Sequence, residues 1–493
     1  MIKTELIDSK KFLPRDIIEV IFHIIPYNIR STKSYLFLAK LISDDYHVTE
    51  VKSIEPISNL LFYKEYGIKL YKSADLEKIK SENLEIHTED TIYRAIMYND
   101  LERFIYFTER DEFDKDKILI SSLYPSFLGG YSLLELCCYH GAVDCFKLLR
   151  TKFSAEITET CLRFSFLGGN PEIMSECLKY QTPNNWCMEY AIISHNIDFV
   201  TFLMNEYNIE IDLFSCGFYQ NLEAFLVYFD QTNDINECFV YSPLLNIPSL
   251  FEYFRLHCAN INVKNEYGGT ALHYAAMNNS KEIAEILISN GANINVKNEY
   301  GETALHLAAM YNSNKETAEV LISNGANINE KDKDGQTALH LAVKKNSKET
   351  VELLISHGAN INEKDKYGIT SLHIAVKENS KETAELLISN GANINEKNKY
   401  GITALHYAAM YNSKETAEVL ISHGANINEK DKYGITSLHI AVKENSKEIA
   451  EILISNGANI NEKDENGITS LHYAAMNNSK EIAELLISHG AEE

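Results

Sequence analysis

Seven histidines recur through the second half of the chain: His273, His306, His340, His373, His406, His439 and His472. Imidazole is the commonest protein ligand for zinc and the side chain that titrates nearest neutral pH, so a periodic set must first be weighed as metal or proton chemistry. Every interval is 33 residues except the one from His306 to His340, which is 34. A fixed period of that length places one histidine on each of seven like units. Stacked units stand roughly 10 Å apart, whereas zinc ligands must all lie within about 2.1 Å of one ion. One histidine per unit therefore cannot assemble a metal site. The other reactive residues are Cys137, His140 and Cys145, the only candidates for a polar pocket. All nine cysteines lie between Cys137 and Cys258, an odd number with no C-x₂-C pair, so they read as small apolar core residues of a reduced chain. No glycine-rich phosphate loop, nucleophile elbow or H-E-x-x-H motif is present. The chain reads as no enzyme, with no cofactor and no metal.

The elements that carry the histidines follow from one unit. Asp365 through Gly368 is turn chemistry, with a glycine able to take positive φ. Thr370 is placed to cap a helix with Leu372, Ile374, Ala375 and Val376 facing inward. Asn379 can end that helix in the left-handed region, and Ser380 can cap the next one. The second helix packs Ala384, Leu386, Leu387 and Ile388, and Gly391 stops it. A β-turn finger and two short antiparallel helices thus fill each 33 residues, and each unit buries its apolar face only against its neighbours.

At these residues the chain resembles the ankyrin repeat, whose pattern runs Asp-x-x-Gly-x-Thr-Pro-Leu-His-x-Ala-Ala and then a Gly-Ala-Asp turn. The family proline is Ala or Ser in every unit (Ala271, Ala304, Ala338, Ser371, Ala404, Ser437, Ser470), which loses a preorganised φ. The interhelical glycine is asparagine, as at Asn279 and Asn379. One extra residue falls near Asn314, in an interhelical turn. The resemblance implies an all-α ankyrin-repeat solenoid with an N-terminal helical extension, and gives the histidine a framework role, bonded near the threonine and the neighbouring loop.

Three parts are expected. Residues 259–493 hold the seven regular repeats. Residues 91–258 hold a degenerate helix-pair domain, marked by acidic residues at the starts of apolar helices: Glu102, Asp144, Glu172, Asp198 and Glu223, with Ser249 in a sixth copy. From Asp144 onward these recur at 25–28 residues, short of 33 by about one finger. The helix pairs are expected to continue into the regular array, with a loop over Arg110–Tyr131 containing Pro125, Gly129 and Gly130. Phe and Tyr abound there, which predicts bulkier packing than the Ala/Leu/Ile helices downstream. Residues 1–79 form a helical lobe, with helices patterned over 16–25 and 34–41. Leu13, Pro14, Asp16, Ile17, Ile21 and Phe22 loosely resemble the opening helix of an F-box, which implies an alternative role as substrate adaptor of a ubiquitin ligase. The whole layout is similar to a protist type of ankyrin-repeat protein.

A net charge of −24 repels phosphate backbones and argues against nucleic acid. The greasiest stretch, 17–27, is too short to span a bilayer and contains Glu19, His23 and Pro26, so no membrane insertion is expected. The chain reads as cytoplasmic or nuclear. The resemblance implies a non-catalytic scaffold that binds a protein through the concave face made by fingers and inner helices. The slot before the finger glycine holds Tyr267, Tyr300, Tyr367, Tyr400 and Tyr433, and the slot after it holds Ile369, Ile402, Ile435 and Ile468. The inner helices add Met310, Tyr311, Met410 and Tyr411. An apolar stripe with charged flanks suits an interface. Recent duplication or finger-to-finger packing would produce the same row. The last unit ends without the polar outer face that usually closes a solenoid, so fraying or an end-to-end self-contact is expected there.

Overall fold

The computed structural model describes residues 14–51, 55–70, 86–88, 90–125, 129–258, 260–311 and 315–492. The chain divides into two compact units, Met1–Ala259 and Asn260–Glu493. Both are helical, and among the described residues the sheet content is one two-stranded pair. The expected all-α solenoid is the observed fold. Leu13 and the extra residue near Asn314 lie outside the described residues.

In the first unit α1 (Pro14–Ile24), α2 (Thr32–Tyr46) and α3 (Pro56–Tyr66) close on a core that includes Ile18, Phe22, Ile25, Leu36, Ala39 and Phe62. Helix pairs follow: α4 (Ile92–Met97) with α5 (Leu101–Thr108), α6 (Leu133–His140) with α7 (Val143–Phe153), and α8 (Glu159–Gly168) with α9 (Pro171–Cys177). Next come α10 (Asn185–Ile193) with α11 (Ile197–Tyr207), α12 (Leu213–Phe218) with α13 (Leu222–Thr232), and α14 (Ile235–Tyr241) with α15 (Pro248–His257). The acidic residues flagged in the sequence stand in the first turns of second helices, Glu102, Asp144, Glu172, Asp198 and Glu223, where the helix dipole favours negative charge. The largest fully buried side chains, among them Phe104, Phe164, Phe166, Phe225 and Phe239, all belong to this unit. That is the bulky packing its composition predicts.

One expectation is corrected. The stretch 110–131 is not wholly loop, because β1 (Ile118–Leu119) pairs antiparallel with β2 (Tyr131–Ser132). This pair leads into α6 as a finger does. Gly130 takes φ +73°, and a Cβ there would come within 2.6 Å of the Leu119 carbonyl. Ser132 then caps α6 in a capping box with Glu135: the Ser132 N–H donates to Glu135 Oε2 at 2.8 Å, and the Glu135 N–H donates to Ser132 Oγ at 3.3 Å. Gly130, Ser132, Leu134 and Glu135 thus occupy the offsets of Gly268, Thr270, Leu272 and His273. The signal in the sequence is a glycine followed at two residues by S-x-x-E, which departs from the repeat pattern because glutamate stands where the later units carry histidine.

In the second unit the repeated residues do what their types predict. Asn379 sits at φ +50° and Gly391 at φ +92°. The Ser380 N–H reaches the Ala375 carbonyl, and the Ala392 N–H reaches that of Leu387, so each helix ends in a Schellman turn. Ser380 occupies the cap of its helix, but its hydroxyl donates to Asn346 Oδ1 of the preceding repeat at 2.5 Å, with Thr383 Oγ1 2.8 Å away, rather than capping the backbone. Leu372, Ala375, Val376, Ala384 and Leu387 are buried, whereas Ile374, Leu386 and Ile388 are half-buried at the faces of the stack. A side-chain ladder ties the unit ends. Asn362 Nδ2 donates to the Gly391 carbonyl at 3.1 Å while its Oδ1 accepts from the Asn393 N–H at 2.8 Å. Beside it Lys364 pairs with Glu396 at 2.7 Å and Lys397 with Glu429 at 2.5 Å.

Six of the seven histidines are buried joints, and His472 in the last repeat is exposed. His373 Nδ1 accepts from the Thr370 N–H at 3.2 Å and from the Thr370 hydroxyl at 2.8 Å. Its Nε2–H donates to the carbonyl of Ile402, in the next unit, at 3.3 Å. His273, His306, His340 and His406 repeat the pattern. This network needs a neutral ring with the proton on Nε2. Burial pushes the pKa of six of these histidines down, to about 4 at His273 and His373.

The unfolded chain binds protons as pH falls through about 6.5, while the folded array resists them until a lower pH. The histidine contribution is therefore complete above about pH 6.5 and is lost as pH falls toward about 4. The glutamates of the lysine ladder, held below the usual carboxylate range by hydrogen bonds from their lysines, add a loss at still lower pH. The urea midpoint of the array, followed by circular dichroism, should fall steadily between about pH 6.5 and about pH 4; a flat profile across that window would contradict the buried neutral histidines.

Candidate binding surface

The finger is built from its aspartate. Asp365 Oδ1 accepts from the N–H groups of Tyr367 and Ile369, both at 2.8 Å, and the Asp365 N–H donates to the Ile369 carbonyl at 2.9 Å. Gly368 stands at φ +78°, with the Lys399 nitrogen of the next finger 2.9 Å from where a Cβ would be. Only glycine fits that approach. Each tip is tied to the next: the Tyr367 carbonyl accepts from the Lys399 N–H at 2.9 Å and the Tyr400 carbonyl from the Lys432 N–H at 3.0 Å.

With their backbones fixed in this row, the rings of Tyr267, Tyr300, Tyr367, Tyr400 and Tyr433 remain 48–62% exposed. Ile369, Ile402, Ile435 and Ile468 are half-buried. The carbonyls of the first three accept from His340, His373 and His406. At the last joint His439 Nε2 donates instead to the backbone carbonyl of Glu462 at 3.1 Å. The isoleucine backbones are thus framework, and only part of each side chain is left for contact. Met410 and Tyr411 are exposed, with the Tyr411 ring stacked on Tyr407 at 6.0 Å and an interplanar angle of 6°. Tyr311 is exposed and Met310 half-buried. These two stand on the second repeat and are not joined to Met410–Tyr411 on the fifth. Lys344, Lys345, Lys377 and Glu378, all exposed, occupy the same helix positions in between.

The first-helix face of the first unit is differently employed. Its own turn between α1 and α2 lies across it. The Tyr139 hydroxyl on α6 donates to the Pro26 carbonyl at 2.7 Å and accepts from the Ile29 N–H at 3.3 Å. Arg30 donates to the carbonyls of Met97 and of His140, the latter at 2.9 Å. The Tyr27 ring meets Tyr190 at 6.3 Å and Tyr219 at 5.8 Å. Tyr139 and His140 hold the positions that correspond to Met410 and Tyr411, and here the chain itself covers them.

Cys137, His140 and Cys145 do not form a reactive pocket. Burial pushes the Cys145 thiol up to about 12 and that of Cys137 well up, so neither supplies a thiolate at neutral pH. Burial also holds the His140 imidazole well below its usual range, and its Nε2 is bonded to the Tyr124 hydroxyl at 2.9 Å. Among the described residues no group of three or more His, Cys, Asp or Glu converges to hold a metal ion. No helix among them is long and apolar enough to cross a membrane.

Comparison with protein families agrees with this geometry. The family model for ankyrin repeats in three copies matches residues 244–332, 313–398 and 394–464, and that for a single ankyrin repeat matches 466–492. Together they cover about half of the chain. A domain of unknown function (DUF3447) matches residues 153–228, within the degenerate helix pairs. No curated protein matches the chain.

The covered face of the first unit gives a direct expectation. Tyr139→Phe removes one hydroxyl that serves two backbone groups, and should cost about 1–2 kcal/mol. The measurement is the urea midpoint of the first unit's transition in the full chain. An unshifted midpoint would mean that the 25–31 turn is held by other contacts.

Proposed function

The chain belongs to the ankyrin-repeat family, and from that premise we propose that it captures a protein partner through the finger and first-helix face of the regular array. The family is one of protein–protein interaction scaffolds, so the open question is which surface recognises the partner. The supporting observation is the fixed row of finger tips, where five tyrosines stay exposed, three of them (Tyr367, Tyr400 and Tyr433) beside half-buried isoleucines, while the corresponding face of the first unit is covered by its own chain. Exposed aromatic anchors bordered by charge are what an interface centre and rim require. On this reading the binding surface belongs to the regular repeats of 259–493, and the parts at 1–79 and 91–258 lie outside it. The absence of disulfide bonds among the thiols suits a reducing compartment, the cytoplasm or nucleus.

The adaptor alternative gains nothing from the lobe. Ile21 and Phe22, which carry its resemblance, are buried in the lobe's own core, and the Phe22 carbonyl accepts from the Ser58 hydroxyl at 2.7 Å.

Crosslinking of the native complex followed by mass spectrometry supplies the partner. Combined Ile369→Ser, Ile402→Ser and Ile435→Ser changes should then weaken its capture on the order of tenfold or more, with the helical circular dichroism unchanged. Undiminished capture by the folded triple variant would end this reading of the face.

A further inference from the structure

The first unit shows what a first-helix face of this chain receives. The Arg30 guanidinium of its 25–31 turn donates to the carbonyls of Met97 and His140, which close two successive first helices. The Tyr27 ring meets Tyr190 and Tyr219 near the ends of two later ones. A helix C-terminus carries partial negative charge, and a guanidinium is the cation that both bonds carbonyls through a planar fork and stacks on a ring. In the array the ends of the first helices share a face with the slot after the finger glycine, since Gln336, Lys344, Ile369, Lys377 and Tyr411 line one cavity.

Charge is segregated along that face. Repeats four and six, identical from Tyr367 to Glu382 and from Tyr433 to Glu448, place Lys377 and Lys443 at the helix end, and repeat three places Lys344 and Lys345 there. Repeat five offers Tyr411, but Lys377 Nζ already lies 5.8 Å from the centre of its ring. In repeat seven Asn477 Nδ2 takes up the Lys443 carbonyl at 2.8 Å. The finger tips follow suit: Lys333, Lys366, Lys399 and Lys432 fill the slot that holds Glu266 and Glu299 in repeats one and two.

Repeats one and two differ. Their first helices, Ala271–Met277 and Ala304–Tyr311, end without lysine, and Tyr267, Tyr300 and Tyr311 are exposed. Among the described residues no ion pair uses Glu266, Glu299 or Glu302. Glu302 is held by Asn298 Nδ2 at 2.8 Å, and burial together with its nearby carboxylate pushes the Tyr311 phenol up. The lysines of these repeats are engaged elsewhere. Lys264 and Lys297 reach the carbonyls of Lys297 and Lys331 at 3.3 and 2.8 Å, Lys281 pairs with Glu285 at 3.8 Å, and Lys315 stands at the start of a second helix.

We infer that this face of repeats one and two seats an arginine-bearing turn of the protein partner, its guanidinium against Tyr311 and the carbonyls that end the two first helices, and its flanking cations against Glu266 and Glu299. The inference rests on the proposed binding face and names the partner chemistry at one end of it. Charge complementarity of this kind selects among partners and speeds their encounter.

The test uses the full chain and three fluorescein-labelled, cyclised copies of residues 24–32. One keeps Arg30 and gains two lysines outside the turn, the second has Arg30→Lys in the same frame, and the third has Arg30→Glu with two added glutamates. Fluorescence anisotropy at low salt should show binding of the arginine peptide, binding about threefold or more weaker for the lysine peptide, and none for the acidic one. Combined Glu266→Lys and Glu299→Lys, at exposed finger tips, should weaken the arginine peptide by about tenfold or more. Tyr311→Ser should weaken it by about fivefold, whereas Tyr411→Ser in repeat five should leave it within about twofold, each with unchanged circular dichroism. Equal binding of the lysine peptide, binding of the acidic one, no binding of any, or indifference to the glutamate reversal would overturn the seat. Equal losses from Tyr311→Ser and Tyr411→Ser would overturn its placement. The broader face fails separately, when the triple isoleucine variant still captures the native partner.

Discussion

Each internal histidine of the array bonds two different neighbours with its two ring nitrogens, and the stack depends on that division. Nδ1 accepts from the threonine that starts its own helix, and the Nε2–H donates to a carbonyl of the next unit. The bond that caps a helix is therefore coupled, through one rigid ring, to the bond that seats the neighbouring finger. Burial keeps the ring neutral, and a neutral ring is the one form that offers an acceptor on one side and a donor on the other. In a solenoid, where stability is close to a sum of unit and interface terms, a joint repeated at successive interfaces fixes spacing and orientation together. The finger row, the asparagine ladder and the lysine–glutamate ladder run parallel to it.

The first unit reaches the same geometry with other chemistry. Glu135 takes the histidine's place in the capping box of α6, and its second oxygen accepts from the Thr158 hydroxyl at 2.6 Å, at the start of the next helix pair. A carboxylate accepts on both sides, so its partner across the joint must be a donor, and a hydroxyl replaces the carbonyl used in the array. The shorter units also bury large aromatics in place of the alanine-rich interior, and one first-helix face receives the chain's own 25–31 turn. One stacking principle thus yields a covered face in one unit and an open face in the other.

Regularity in the array works against reading function from any single repeat. The constant residues are engaged with the backbone or buried, as Thr370, His373 and Gly368 show. The row of isoleucines, which looks like an interface in one dimension, is in part framework through its carbonyls. What distinguishes one stretch of surface from another is the succession of neighbours, where a lysine pair adjoins an identical repeat on one side and an aromatic pair borders it on the other.

The amino-acid sequence by itself determined the repeating unit, the turn that begins it, the glycine and asparagine stops, and the assignment of the histidines to framework rather than metal. These are local: capping, positive φ and helical periodicity act within a dozen residues, so the pattern and the physics have the same range. It also placed the second helices of the degenerate pairs, because an acidic residue at a helix start is a short-range electrostatic preference. The finger before α6 escaped because a different residue performed the histidine's task, and a substitution that preserves a role without preserving a residue type is invisible to a repeat. Tertiary structure alone decided which exposed residues share a surface. Ile374 and Ile440 have identical local sequence, and their surroundings differ because side chains from the neighbouring repeats, about a full period away along the chain, stand beside them. Contact between units is a long-range property, set by packing across the stack rather than by anything within reach of the residue itself.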